Sequence, residues 1–256
     1  MGYARILLAT LLLTITSPLT WADEEAASAP IAKAKAGEKG ATGKKAGKKE
    51  KGFVSLFDGK TTDGWWRQDK VPKFHVGGKW EVVDGVLVGQ QDPPGKGGFF
   101  ATKEQYDNFV FRCEINLDYP SDTGIFLRMG DDGLSHQVTL DNRPDGQFGK
   151  IYLPWTQSMV HDSPDGIKHF KQKQWNDVKV RIEGEPSRIR FWLNGDLVTD
   201  FQHTAETTKG VPTKGYIALQ VHPTVENMKH FEKGNKVRYR NIRVKALKKK
   251  DTEAAG

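Results

Sequence analysis

Two short stretches hold the residue types that chemistry needs. "SDTGIFLRMGDDGLSHQVTLDN" (121–142) carries Arg128, Gln137, Thr139 and Asp141 among apolar residues, and "GYIALQVH" (215–222) ends on Gln220 and His222. Successive side chains of a strand face opposite sides of a sheet, so alternation decides where these groups point. With Ile125, Leu127 and Met129 in the core, Phe126 and Arg128 face outward. Val138 and Leu140 in the core turn Gln137, Thr139 and Asp141 outward, and Ile217, Leu219 and Val221 do the same for Gln220 and His222. Histidine titrates near neutrality and can move a proton. Arginine and amides can grip sugar hydroxyls, and Phe126 or Trp192 offers an apolar wall for a ring's C–H face. The set suits a carbohydrate. A solvated sheet face would be polar at the same positions, and alternation alone does not choose between the two.

Other chemistries lack their signatures. There is no CxxC, HExxH or EF-hand spacing, and "DSPDG" and "MGDDG" read as Asp/Gly turns before they read as calcium loops. No GxSxG, P-loop or dinucleotide fingerprint occurs. Neither a cofactor nor a metal is expected. Cys113 is the single cysteine, which rules out an intrachain disulfide. It alternates with Phe109, Phe111, Ile115 and Leu117, so it is expected to be a buried, inert thiol.

The elements that must position the polar residues are strands. "KWEVVDGVLVG" (79–89) places two apolar runs around Asp84-Gly85, and "SRIRFWLNG" (187–195) ends on Asn194-Gly195, both hairpin turn signals. "NFVFRCEINLDY" (108–119) sends Phe109, Phe111, Cys113, Ile115 and Leu117 to one face and Glu114 to the other. In "VRYRNIRVKAL" (237–247), Val237 and Tyr239 are out of phase with Ile242 and Val244, which predicts a bulge near Arg240-Asn241. No window predicts a long helix; "ENMKHFEKG" (226–234) offers a turn or two. Many short strands without helical crossovers predict an all-β fold, a two-sheet antiparallel sandwich. The outer face of a curved sheet would then be a groove for a ring-shaped ligand.

Charge sits mostly at the ends. The 256 residues carry 39 Lys+Arg and 32 Asp+Glu, a formal net charge of +7, of which only about +1 falls within residues 53–244. Nucleic acid is therefore not an expected partner. Residues 1–22 have the layout of a secretory signal peptide, with Arg5, an apolar run and a small residue at Ala22. Residues 23–52 are rich in Lys, Ala and Gly and cannot bury enough apolar surface to order themselves. They read as a solvated linker that can touch anionic cell-surface polymers, and 248–256 as a basic tail. A secreted or periplasmic protein follows, without a membrane span once the signal is removed.

Ordered along 53–247 are "FVSLFDGKTTDGWW", "WEVVDGVLVG", "GGFFATKEQYDNFVFRCEINL", "TGIFLR", "GKIY", "QWNDVKVRIEG", "WLNG", "GYIALQVH" and "VRYRNIRVKAL". This series resembles the 3-keto-disaccharide hydrolase domain family, exported bacterial proteins with a concanavalin A-like fold. The resemblance implies a jelly-roll sandwich over 53–247 and hydrolysis of glycosidic bonds in 3-keto-disaccharides or 3-keto-glycosides. It carries over Arg128, Gln220 and His222 as site residues. Where the family shows an "E.Q" pair, this chain reads "HQVTLDN", which places either His136 and Val138 or Gln137 and Thr139 there by register; alternation favours the second pair, and Asp141 is the only acid of that strand. A carbonyl at C3 acidifies the C2 proton, so elimination and hydration can replace ordinary glycoside hydrolysis. The expected roles are His222 as base, Arg128 and Gln220 on the enolate, and Asp141 or Glu114 as proton donor. Gln137, Thr139, Phe126 and Trp192 would bind the sugar. The alternative is a carbohydrate-binding module that does not cleave.

Overall fold

Alternating burial along the chain becomes fifteen strands in the computed structural model, which describes residues 50–70, 77–225 and 231–248. The first five are β1 (Val54–Ser55), β2 (Trp65–Gln68), β3 (Lys79–Val83), β4 (Val86–Gln90) and β5 (Gly98–Tyr106). Then come β6 (Phe109–Leu117), β7 (Asp122–Met129), β8 (His136–Asp141), β9 (Phe148–Leu153) and β10 (Ser158–His161). The last are β11 (Asn176–Glu183), β12 (Arg188–Leu193), β13 (Asp196–Gln202), β14 (Gly215–Val221) and β15 (Lys236–Ala246). One 3-10 turn at Gly166–His169 is the helical element among the described residues, and none is long enough to cross a membrane.

Two antiparallel sheets form. One runs β13-β12-β11-β6-β15-β4-β3 with β1 beside β15, the other β10-β9-β8-β7-β14-β5-β2. Their facing sides make a single core: Phe109, Phe111, Cys113, Ile115 and Leu117 from β6 meet Ile125 and Leu127 from β7, Val138 and Leu140 from β8, and Ile217, Leu219 and Val221 from β14. Each such side chain removed from water contributes roughly 1.5–3 kcal/mol before the entropy of ordering is set against it. The expected all-β jelly-roll sandwich is therefore what the chain adopts. Cys113 is fully buried, and desolvation lifts its thiol pKa well above the ordinary value. Asp84-Gly85 and Asn194-Gly195 both take the positive φ that tight hairpins need. The ladder between β15 and β6 shifts between Arg240 and Arg243, with Asn241 at φ 53°, as the phase change predicted.

Met129 departs from its expected place. It joins Phe126, Phe99, Ala101 and Ala218 in a second apolar cluster, on the outer face of the β14 sheet. The cause is Arg128, whose φ of 54° breaks the alternation so that Phe126 and Met129, three apart, share a face. The paired ladder slips at the same point, between Tyr216 and Ala218 of β14.

Glu50, within the expected linker, pairs with Arg112 at 2.9 Å and with Arg243 at 3.2 Å. The signal peptide, the linker up to residue 49, residues 226–230 of the expected helical turn, and the tail beyond 248 lie outside the described residues.

Candidate functional site

Cross-strand register lays the outer face of the β14 sheet out in rows. One row reads Trp66, Ala101, Ala218, Phe126, Gln137, Tyr152 across β2, β5, β14, β7, β8 and β9. The next holds Gln68, Phe99 and Gln220, then Gly124 opposite Thr139. In the third, Asp122 faces Asp141, and His222 follows directly after β14. One end of the sheet face is thus aromatic and the other polar. A cavity of about 460 Å³ opens over the polar end. Gln137, Thr139, Asp141, Asp122 and His222 line it, with Lys150 and Tyr152 from β9 and Arg143, Gln147 and Gln157 from the connecting segments. This volume falls within the range of small-molecule sites.

His222 is oriented by its own neighbour. Its Nδ1 lies 2.7 Å from the carbonyl of Pro223, which can only accept, so Nδ1 carries the proton. In the neutral ring Nε2 then holds the lone pair, 3.9 Å from Asp122 Oδ2. The backbone here is clamped too: Gln91 Nε2 donates to the His222 carbonyl at 2.9 Å and its Oε1 accepts from the Gly95 amide at 3.0 Å. Gly97 passes so close that a Cβ there would lie 2.1 Å from the Val221 carbonyl oxygen. Only glycine fits.

Arg143 ties the two aspartates together. Its Nε reaches Asp141 Oδ1 at 2.9 Å, and its Nη2 reaches Asp141 Oδ2 at 2.7 Å and Asp122 Oδ2 at 3.0 Å. Burial works against its charge, but the bonds to Asp141 and the field of Asp122 win and its pKa rises. Desolvation first, and Asp122 second, raise the Tyr152 phenol and keep it protonated at neutral pH. Gln137 Nε2 lies 3.4 Å from Gln220 Oε1, and Thr139 Oγ1 donates to the Gln147 carbonyl at 2.7 Å. Gly124 leaves the floor open: a Cβ there would stand 2.5 Å from Gln137 Nε2.

Of the expected site residues, His222, Asp141, Gln137 and Thr139 come together here, with Gln220 behind Gln137. Arg128 does not. It turns away into buried ground, where Nε donates to the Asp107 carbonyl at 2.7 Å and Nη2 to Asn108 Oδ1 at 2.9 Å. Its left-handed backbone is the reason, since it redirects the side chain from the outer face toward the sheet's end. Glu114 and Trp192 belong to the other sheet. Glu114 pairs with Arg240, and Trp192 stacks beneath the Lys179 ammonium at 3.6 Å from the ring centroid. Phe126 faces the correct side but is buried against Phe99 at 4.7 Å, under the aromatic end of the sheet.

Asp122, Arg143, Lys150 and Tyr152 were not foreseen as site residues. Asp122 shares the alternation of Gly124 and Phe126, and Lys150 and Tyr152 alternate in "FGKIYL", so three of the four had a strand signal. Arg143 lies in the turn after β8 and had none. Among the described residues, no group of three or more His, Cys, Asp or Glu side chains is placed to hold a metal ion.

Comparison with known proteins bears on what such a cavity does. A 3-keto-disaccharide hydrolase of Bacteroides thetaiotaomicron is 25% identical over 246 residues, covering 77% of this chain and 79% of that protein. Among solved structures, a candidate glycosyl hydrolase of Parabacteroides distasonis superposes with a TM-score of 0.52 at 20% identity, over 77% of this chain and 94% of its own. The carbohydrate-binding module CBM66 from Bacillus subtilis gives 0.53 at 14% identity, over 72% and 96%. These two likenesses establish the sandwich fold. Residues 52–245 match the model of the 3-keto-alpha-glucoside-1,2-lyase-like domain, and over that span the chain belongs to this family.

Proposed function

We propose that this carbohydrate-active hydrolase cleaves the glycosidic bond of 3-keto-disaccharides or 3-keto-glycosides by elimination and hydration. The observation that carries the reading is His222, which lines the cavity with its Nδ1 held by the Pro223 carbonyl and its Nε2 3.9 Å from Asp122 Oδ2. Family membership and the hydrolase relative support the substrate class.

The steps balance without an oxidant. His222 Nε2 takes the C2 proton, the C1–O bond breaks, and a C1–C2 double bond forms conjugated to the C3 carbonyl. Asp122 stabilises the imidazolium that results. The C3 oxygen gathers charge in this step, and Arg143 with the Gln137–Gln220 amides takes the part expected of Arg128. Both oxygens of Asp141 are engaged by Arg143, so Asp141 acts as its anchor, and the Tyr152 phenol donates to the departing oxygen. Water then adds across the double bond. Lyase and hydration steps together amount to hydrolysis, which unites the family's description with the relative's name.

Incubation with a 3-keto-disaccharide and with its unoxidised parent tests the proposal. Sugar release from the first alone is the expected result. Binding of both without release would favour the second reading, a non-catalytic carbohydrate-binding module. One observation supports that second reading: Gln137 supplies an amide where the family's strand carries a carboxylate. Export of the protein is part of the proposal, and the mature protein should begin at Asp23 when its N-terminus is sequenced.

A further inference from the structure

The hydrolase reading uses one sheet and leaves the outer face of the other without a role. Register sets a row across that face: Arg243 of β15, Arg112 of β6, Lys179 of β11, Trp192 of β12 and Leu197 of β13. Four strand spacings make the row about 19 Å long. Three cations stand side by side at one end. At the other, the half-buried Trp192 ring and Leu197, 52% exposed, form an apolar step.

Lys179 is the cation of the row without a counterion. Among the described residues it meets no carboxylate, and its ammonium lies over the Trp192 ring. Its neighbours are already engaged. Arg112 is held by Asp177 at 3.0 Å and by Glu50 at 2.9 Å, Arg243 shares Glu50, and Arg181 and Arg190 share Glu183. Five cations thus face three carboxylates, while the flanking pairs Arg188–Asp200 and Arg240–Glu114 cancel. Desolvation first, then Arg112, with Arg181 and Arg190 acting the same way and Glu50 opposing, hold the Lys179 pKa below its ordinary value. An excess of two on this face exceeds the net charge of about +1 over residues 53–244, so the rest of the domain does not share it. An anion laid across the row relieves the repulsion among these groups.

The basic ends of the sequence join the domain at the same place. Glu50 lies against Arg112 and Arg243 of the row, and a Cβ on Gly52 would stand 3.2 Å from Lys245 of β15. Seven lysines precede Glu50 from Lys33 onward, and Lys248, Lys249 and Lys250 follow β15. Lysine-rich chain rooted beside the row adds long-range attraction for the same anion.

We propose that this face docks an acidic polysaccharide, a chain of sugar rings bearing carboxylates, with Lys179 receiving an acid group and Trp192 with Leu197 lying against a ring. Such a sugar brings both features at once, a C–H face for the apolar step and a carboxylate at its edge for the ammonium. Duplex DNA and phospholipid surfaces present charge without an exposed ring face. The cavity opens on the other sheet, so a docked polymer leaves it free.

The test is calorimetric binding of the full chain to polygalacturonate, to its fully methyl-esterified form and to polyglutamate: acidic rings, neutral rings, and acid without rings. Polygalacturonate is expected to bind at least about tenfold more tightly than either of the others, since it alone makes both the charge-assisted and the ring contact. Lys179→Glu should bring polygalacturonate down to the level of its ester, and Trp192→Ala down to that of polyglutamate. Lys179→Gln, which removes the charge without reversing it, should fall between the unaltered chain and Lys179→Glu, and it carries the test if the reversed charge lowers the thermal midpoint. Equal affinity for polygalacturonate and polyglutamate in the unaltered chain would overturn the ring contact and the partner with it. Binding that survives both Lys179 variants would overturn the site, leaving the lysine-rich ends alone as its source. Tighter binding to duplex DNA or to phosphatidylglycerol vesicles than to polygalacturonate would overturn the choice of partner.

Discussion

At the scale of the residue, the candidate site depends on two positions where a side chain is present and one where it is absent. His222 owes its tautomer to a single carbonyl, and its usefulness as a base to the Nε2 left without a proton. His222→Ala should lower kcat on a 3-keto-disaccharide at least a hundredfold, the usual span for loss of a general base, with little change in the thermal midpoint. Unaltered turnover would end the assignment. Gly124 matters for what it lacks. In Gly124→Ala the new methyl meets Gln137 at both Nε2 and Cγ and comes within 3.0 Å of the Val138 carbonyl, so the Gln137 side chain must shift and its amide is displaced. KM is expected to rise several-fold, read from initial rates. His222 and Gln137 were legible from alternation alone, because both lie in regular strand rhythm or directly after it. Asp122 was equally legible and was passed over, since its partner, Arg143, sits in a turn where no period operates.

The scale of the element explains why Arg128 misled. Period-two reasoning holds for as long as the strand is regular, and β7 is regular only as far as Leu127. One residue in the left-handed region shifts everything after it, moving Arg128 off the face and Met129 onto it. Nothing in "GIFLRMG" signals this, because arginine is not a residue that favours positive φ. By contrast the bulge at Asn241 was visible as a phase change between apolar pairs, and asparagine tolerates that backbone well. The buried guanidinium of Arg128 bridges the Asp107 and Gly184 carbonyls and Asn108, so it fastens one end of both sheets. Arg128→Met should cost about 3 kcal/mol in a urea titration, since the carbonyls it serves would lose charge-assisted bonds. A loss below about 1 kcal/mol would show that the bonds are dispensable.

For the whole molecule, the sandwich and its core were readable throughout, because hydrophobic alternation is repeated in nearly every strand and one misjudged position does not disturb it. Which sheet bears the cavity was not readable. Glu114 and Trp192 obey the same alternation as Gln137, yet pairing order sends them to the opposite side of the protein. A property of the packed whole also appears at the end of the core. His136 and His203 lie with ring centroids 4.1 Å apart, both buried, and Ser187 Oγ lies 3.2 Å from His136 Nε2. Desolvation chiefly, then the neighbouring His203 charge and Arg128, push His136 down to about 2, while desolvation and Arg128 push His203 down to about 4. Below about pH 6.5 the unfolded chain takes up protons at both that the folded chain refuses. Stability is therefore fully present above that pH and falls as pH drops, through about 4 for His203 and on toward about 2 for His136. Each histidine should account for about 2 kcal/mol between pH 6.5 and 5. Chemical denaturation across that range checks this, and in His203→Gln the slope should be roughly halved.

Cys113 gives the molecule a further use. It is the single thiol in 256 residues, and it is sealed in the core with its thiolate strongly disfavoured. Maleimides and iodoacetamides should pass it by in the folded protein. A cysteine introduced at Gln157, on the rim of the cavity, would then be the sole point of attachment for a fluorophore. Ligand entry could be followed optically in a chain whose own sulfur chemistry is silent.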